Sequence, residues 1–246
     1  VGWRISEEPF LKKMQESWLT NLKVRYSYGE VGSDKGAPRF NYIQLFESGG
    51  NVTFGKNQNV SFGPLYTEGS LAYHDATWET AVKQNLGIEM TLFRKLLASI
   101  DLFKEDRTGI LMSRNSSAPW MGTGLPSVNI GKTKNHGLEL ELGWNDKVGK
   151  NFSYFAKFNF STSENRVVFK DDPNRLDDYL KAAGKPIGYV NKYLVSGNFG
   201  SIDDIFNYTQ SGITNGSQNK LIPGDLIYLD YNGDGVINEK DMAPVA

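Results

Sequence analysis

His136-Gly137-Leu138-Glu139-Leu140-Glu141-Leu142-Gly143-Trp144 alternates polar and apolar residues without a break, and its reading decides the class of fold. A β-strand sends successive side chains to opposite faces. Leu138, Leu140, Leu142 and Trp144 therefore share one face, and Glu139 and Glu141 share the other. The next segment repeats the pattern: Phe152, Tyr154, Ala156, Phe158 and Phe160 oppose Ser153, Lys157, Asn159 and Ser161. Towards the N-terminus, Leu22, Val24, Tyr26 and Tyr28 oppose Lys23, Arg25 and Ser27, while Leu86, Ile88, Met90 and Leu92 oppose Gly87, Glu89 and Thr91. Leu96, Ala98, Ile100 and Leu102 oppose Ser99 and Asp101, with Leu97 the exception. Val1-Gly2-Trp3-Arg4-Ile5 reads as one more strand with no leader before it, which predicts an internal section of a longer chain.

The apolar faces run on over four or five positions and end in aromatics, as at Tyr28, Trp144 and Phe160. Aromatic ends on an apolar band suit a membrane interface, and charged opposite faces suit a wet barrel interior. The connections point the same way. Phe93-Arg94-Lys95 and Asn145-Asp146-Lys147-Val148-Gly149-Lys150 are short turns. Tyr28 to about Ala81, Phe103 to Asn135, and Ser161 to about Asp225 are long and rich in Gly, Asn, Ser and Asp. Alternating short and long connections put the long ones on one side, as in outer-membrane barrels. The expected fold is all-β: part of a transmembrane antiparallel barrel with long extracellular loops.

Composition narrows the functions. With 27 basic and 28 acidic residues the net charge is −1, and no basic run or face invites nucleic acid. There is no cysteine, which excludes disulfides, thiol nucleophiles and Cys-bound metals, and His74 and His136 lie far apart without a partner motif. Mean hydropathy is −0.44. No apolar run approaches the ~18 residues of a membrane helix. Barrel strands escape that criterion because their two faces average out.

Asp230 to Asp241 fits a twelve-position calcium loop. Asp230, Asn232 and Asp234 supply oxygens at alternate positions, Gly235 allows the sharp turn, and Val236 offers its carbonyl. Asn238 and Asp241 complete the set, the latter shorter than the usual Glu. The residues before it, Pro223 to Tyr228, read as extended rather than helical. A turn closed by its own Asx hydrogen bonds is the alternative. Two short helices are expected, within Asp171–Leu180 and Ser201–Phe206. Glu139 and Glu141, two apart on one strand face, reach only the lower end of the separation of glycosidase carboxylates; such pairs are ordinary on a wet strand face, and no enzyme is expected. Gly122-Thr123-Gly124 lacks the rest of a dinucleotide loop, and on a bacterial reading the sequons at Asn115 and Asn207 are incidental. Trp120, Tyr189, Tyr193 and Phe199 are expected to be exposed, as candidates for stacking on a sugar or packing on a partner protein, with loop packing the alternative.

Five stretches in order carry a family resemblance: GWRISEEPF at 2–10, LKVRYSYGEVG at 22–32, TWETAVKQNLGIEMTLF at 77–93, NIGKTKNHGLELELGW at 129–144 and PGDLIYLDYNGDGVINEKD at 223–241. The chain resembles the SusC/RagA family of TonB-dependent outer-membrane transporters of Bacteroidota over essentially its whole length. The resemblance implies a barrel of about 22 strands around a plug, with residues 1–246 forming part of the barrel domain and 223–241 an outward-facing loop. It also implies a SusD-like lipoprotein lid, energy from TonB–ExbB–ExbD, and import of oligosaccharides or peptides. Plug, TonB-binding segment and closing strand are expected outside these residues. The side chains expected to line the lumen are Lys23, Arg25, Glu89, Asp101, Glu139, Glu141, Lys157 and Asn159. No cofactor is required, with Ca²⁺ the one candidate ion. The competing expectation is a secreted, calcium-stabilised β-sandwich that binds carbohydrate, whose apolar strand faces would have to be buried against a second sheet. A porin or siderophore receptor outside the family is the third.

Overall fold

A computed structural model describes residues 1–12, 18–55, 60–115, 124–173, 176–208, 211–212 and 221–245. The chain divides into two compact units, Val1–Asp171 and Asp172–Ala246.

The first unit holds strands β1 (Gly2–Arg4), β2 (Leu19–Ser33), β3 (Phe46–Phe54), β4 (Val60–Glu68), β5 (Glu79–Leu92), β6 (Leu96–Met112), β7 (Val128–Val148) and β8 (Phe152–Phe169). Six of them form one sheet in the order β1-β2-β5-β6-β7-β8, with every neighbour antiparallel. The remaining two, β3 and β4, pair as a separate hairpin inside the long connection between β2 and β5.

The register turns the alternation of single strands into continuous rows. Val24, Ile88, Ile100, Leu140 and Phe160 stand side by side across five strands, with Trp3 beyond Val24. Leu22, Met90, Ala98, Leu142 and Phe158 make the row beneath it, and Tyr26, Leu86, Leu102, Leu138 and Thr162 the row above. A soluble sandwich would hide these rows. Here Phe158 is 56 % exposed and Leu102 44 %, and the buried apolar residues of this unit are only Leu19 and Ala81 among those described. No second sheet covers the band among the described residues. That removes the sandwich, because a layer without a partner has no core of its own.

Several sequence expectations change in detail. The strands outrun their alternating segments: β2 continues to Ser33, β6 to Met112 and β8 to Phe169, and β7 starts at Val128. The ladder with their neighbours holds these ends extended after the apolar rows stop. Strand β7 also runs on to Val148, which shortens the turn before Phe152. Phe160 does not end its apolar face; it pairs with Leu140 in the middle of the band.

In the second unit β9 (Val190–Tyr193) pairs with β14 (Met242–Val245), β10 (Val195–Asn198) with β12 (Leu226–Tyr228), and β11 (Ser211–Gly212) runs parallel to β13 (Val236–Ile237). The expected helix near 201–206 is present as α1 (Ile202–Asn207). Ser201 and Asp204 close its N-terminus reciprocally as a capping box. The other expected helix reduces to one 3₁₀ turn at Asp178–Leu180 among the described residues.

Candidate functional site

Two arrangements carry chemistry. The first is the polar face of the six-stranded sheet. Lys23, Glu89, Ser99, Glu141 and Asn159 form one row, and Arg25, Gly87, Asp101, Glu139 and Ser161 the next. Lys157 lies in the row below, opposite Gly143. All eight residues expected on the wet face therefore share one side of the sheet.

Arg25 ties β2, β5 and β6 together. Its Nη2 donates to both oxygens of Asp101, at 2.6 and 2.7 Å. Its Nε lies 3.0 Å from Glu89 Oε1 but off the N–H direction, so that contact is ionic rather than a hydrogen bond. Lys23 donates to the other Glu89 oxygen at 3.4 Å, and the Ser99 hydroxyl donates to Asp101 at 3.4 Å. To reach Asp101 from β2, Arg25 crosses β5 directly above Gly87. A Cβ at Gly87 would sit 2.5 Å from Arg25 Nε and 2.7 Å from its Cγ, so glycine is what leaves the path open. The aromatic ring of Phe103 uses Gly137 in the same way, with its Cζ 2.4 Å from where a Cβ would be. On β7 and β8, Glu139, Glu141 and Lys157 form no ion pair within 4 Å among the described residues. An open depression of about 710 Å³ lies at the short-turn end, lined among others by Asn21, Glu89, Ser99, Glu141, Lys157 and Asn159.

The alternation also continues past Leu102, where the sequence expectation stopped. Arg107 bonds Glu79 at 2.7 Å and Glu105 at 2.8 Å, with Lys83 3.4 Å from Glu105. This second cluster occupies the same face, and the spacing Asp101, Phe103, Glu105, Arg107 was the signal for it.

The second arrangement is the acidic loop. Carboxylate oxygens of Asp230, Asp234 and Asp241 lie within 4.8 Å of one another. Asp241 is fully buried and accepts main-chain N–H groups from Tyr231, Asn232 and Asn238. Asp230 accepts from Gly233 and Gly235, and Asp234 from Val236. The Gly235 N–H is the main reason the Asp230 carboxyl is held below its usual range. Asn232 accepts from the Asp234 N–H, Asn238 from the Lys240 N–H, and the Val236 carbonyl accepts from the Asn238 amide. The donor set is right for a hard cation. Yet hydrogen bonds inside the loop already account for its shape.

The three aromatic candidates among the described residues resolve into packing. Phe199 is buried rather than exposed and meets Tyr208 edge-on. Tyr193 packs on Tyr228, and the Lys185 ammonium lies over Tyr189. Trp120, the Ser116-Ser117 part of one sequon, Thr209 of the other, and Gly122-Thr123 lie outside the described residues.

Comparison with known proteins gives this geometry its context. The family model described as TonB dependent receptor-like, beta-barrel matches residues 8–241. TonB-dependent receptor P39 of Formosa agariphila is 30 % identical over 95 % of the chain, which covers 24 % of that protein. TonB-dependent receptor SusC of Bacteroides thetaiotaomicron is 24 % identical over 98 % of the chain, 23 % of that protein. The RagAB peptide importer in its closed-closed state superposes with a TM-score of 0.63 at 14 % identity, over 99 % of this chain and 25 % of that one. The chain thus spans about a quarter of the length of the curated relatives it matches. It belongs to the TonB-dependent receptor β-barrel family, and its six-stranded sheet is a section of an outer-membrane barrel wall.

Proposed function

We propose that the chain is part of the wall of an importer that carries oligosaccharides or peptides through the outer membrane by binding and conformational change, with no covalent step. One observation carries this reading: a single sheet with a bare apolar band on one face and an ionic network on the other. In a barrel wall the band meets hydrocarbon and the network meets the water-filled interior. Lys23, Arg25, Glu89, Asp101, Glu139, Glu141, Lys157 and Asn159 then line the lumen, where a polar cargo meets charge rather than hydrocarbon.

The same reading gives the whole receptor a SusD-like surface lipoprotein as its lid and TonB–ExbB–ExbD as its energy source. SusC is a TonB-dependent receptor, and RagAB is a peptide importer. Tagged whole receptor should bring down one lipoprotein from detergent extracts, and its deletion strain should lose growth on a defined glycan or peptide. A receptor recovered without a lipoprotein, with unchanged growth on both nutrient classes, sinks the proposal.

For the acidic loop the ligand we propose is Ca²⁺, held by the carboxylates of Asp230, Asp234 and Asp241. Calorimetry of the chelator-treated whole receptor with CaCl₂ tests this. An absent binding heat leaves the loop as a turn closed by its own side chains.

A further inference from the structure

We propose that the outward face of β6 to β8, just beyond the apolar band, binds phosphate-bearing lipid headgroups of the outer leaflet through Lys132 and Lys134, beside Arg166. On β7 the face that carries Leu142, Leu140 and Leu138 continues through His136, Lys134 and Lys132, all three exposed. Lys134 stands between Asp106 of β6 and Arg166 of β8. The nearby carboxylates are committed elsewhere: Glu164 holds Arg166, and Asp106 holds Lys104 at 2.7 Å. Lys132 and Lys134 are left with no carboxylate or hydrogen-bond partner among the described residues. Four cations (Lys104, Lys132, Lys134, Arg166) thus face two carboxylates (Asp106, Glu164), an excess of two in a chain whose net charge is −1.

Position decides what the excess can meet. Lys134 is four residues beyond Leu138, about 13 Å along the strand and about 10 Å along the membrane normal at the usual strand tilt. That is headgroup depth, beyond the hydrocarbon edge. This end of the sheet carries the long connections, which in outer-membrane barrels lie outside. A free anion would find only solvated lysines there, whereas a lipid is held by its chains on the apolar rows and presents its phosphate at the height of Lys134. Arg166 adds positive charge at the same height while Glu164 holds its Nε and Nη2, so the phosphate is met by the two lysines.

The test uses the whole receptor in phosphatidylcholine nanodiscs containing phosphorylated lipid A, with retained lipid A counted by native mass spectrometry. Each lysine near an anionic surface is worth about a fivefold change, so Lys132→Gln with Lys134→Gln should lower the apparent affinity about thirtyfold. Arginine at both positions should restore it, and Lys150→Gln, in the short turn between β7 and β8, should leave it unchanged. Dephosphorylated lipid A should show no preference, and excess inorganic phosphate should not displace the phosphorylated form. Undiminished retention by the double glutamine variant overturns the proposal, and so does displacement by inorganic phosphate, which would mark a site for free anions.

Discussion

Arg25 reaches Asp101 only because Gly87 has no side chain, which makes the pair a test of register at single-residue resolution. Gly87→Ala should dislodge Arg25 and cost about 1 kcal/mol, since the pair is partly exposed and screened. In an Arg25→Ala background the same change should cost close to nothing, because the two substitutions remove one contact. Equal costs in both backgrounds, measured by denaturant unfolding of the refolded receptor, would mean that the guanidinium does not cross β5. Asp241 is a second point of leverage, for it closes the acidic loop with three main-chain bonds. Asp241→Ala should lower amide protection across 230–241, by about 1–3 kcal/mol for the stranded donors. Asp230 adds a pH dependence. Its folded pKa is depressed, so its contribution is present above the unfolded carboxylate value near 4 and is lost as pH falls through the lower folded value. Protection of Gly233 and Gly235, corrected for intrinsic exchange, should therefore hold at pH 5 and fall below about pH 4. The sequence alone shows Arg25 and Asp101 on polar faces. It does not show that they touch, because contact depends on the register of strands separated by a long connection.

At the scale of elements, the hairpin between β5 and β6 turns through Phe93 and Arg94 with φ of 55° and 59°. The Lys95 N–H closes it on the Leu92 carbonyl at 3.0 Å. Two left-handed residues with side chains are costly, and Asn-Gly is the pair such turns prefer. Phe93→Asn with Arg94→Gly should stabilise the receptor by about 1–2 kcal/mol without changing assembly, a gain read from the midpoint of urea unfolding in detergent. The opposite sign would place those residues in another backbone region. Leu140→Arg, in the middle of the band, should cost about 2–4 kcal/mol and reduce folded receptor in membranes, while Glu139→Leu should leave assembly intact. The reverse ranking, read from the heat-modified fraction on gels, would invert the faces. Alternation made the central stretches of β2 and β5 to β8 legible. It failed where side chains stop alternating, as in Phe46–Phe54, where Gly49 and Gly50 blur the period and the strand is held by its partner β4. It failed again at Phe103 and Glu105, which belong to the wet face although no apolar row continues opposite them.

In the molecule as a whole, the two-faced sheet faces lipid on one side and water on the other. The described part of the chain has few buried apolar residues, and large ones such as Phe158 and Phe160 lie open. A freely soluble molecule would not tolerate such a band; a membrane supplies the missing layer. The fold class was legible because a period of two survives in any single strand. The ionic network, the basic rim and the hydrogen bonding of the acidic loop were not, because each joins residues that only folding brings together. The most direct measurement is a cysteine scan of 137–144 in the whole receptor, freed of any cysteines outside this cysteine-less stretch and reconstituted in bilayers. Spin labels at Leu138, Leu140 and Leu142 should collide with dissolved oxygen, and those at Glu139 and Glu141 with a water-soluble nickel complex, giving a period of two. Equal exposure of both sets to the aqueous reagent, or the two sets exchanged, would contradict the placement of this sheet in the membrane wall.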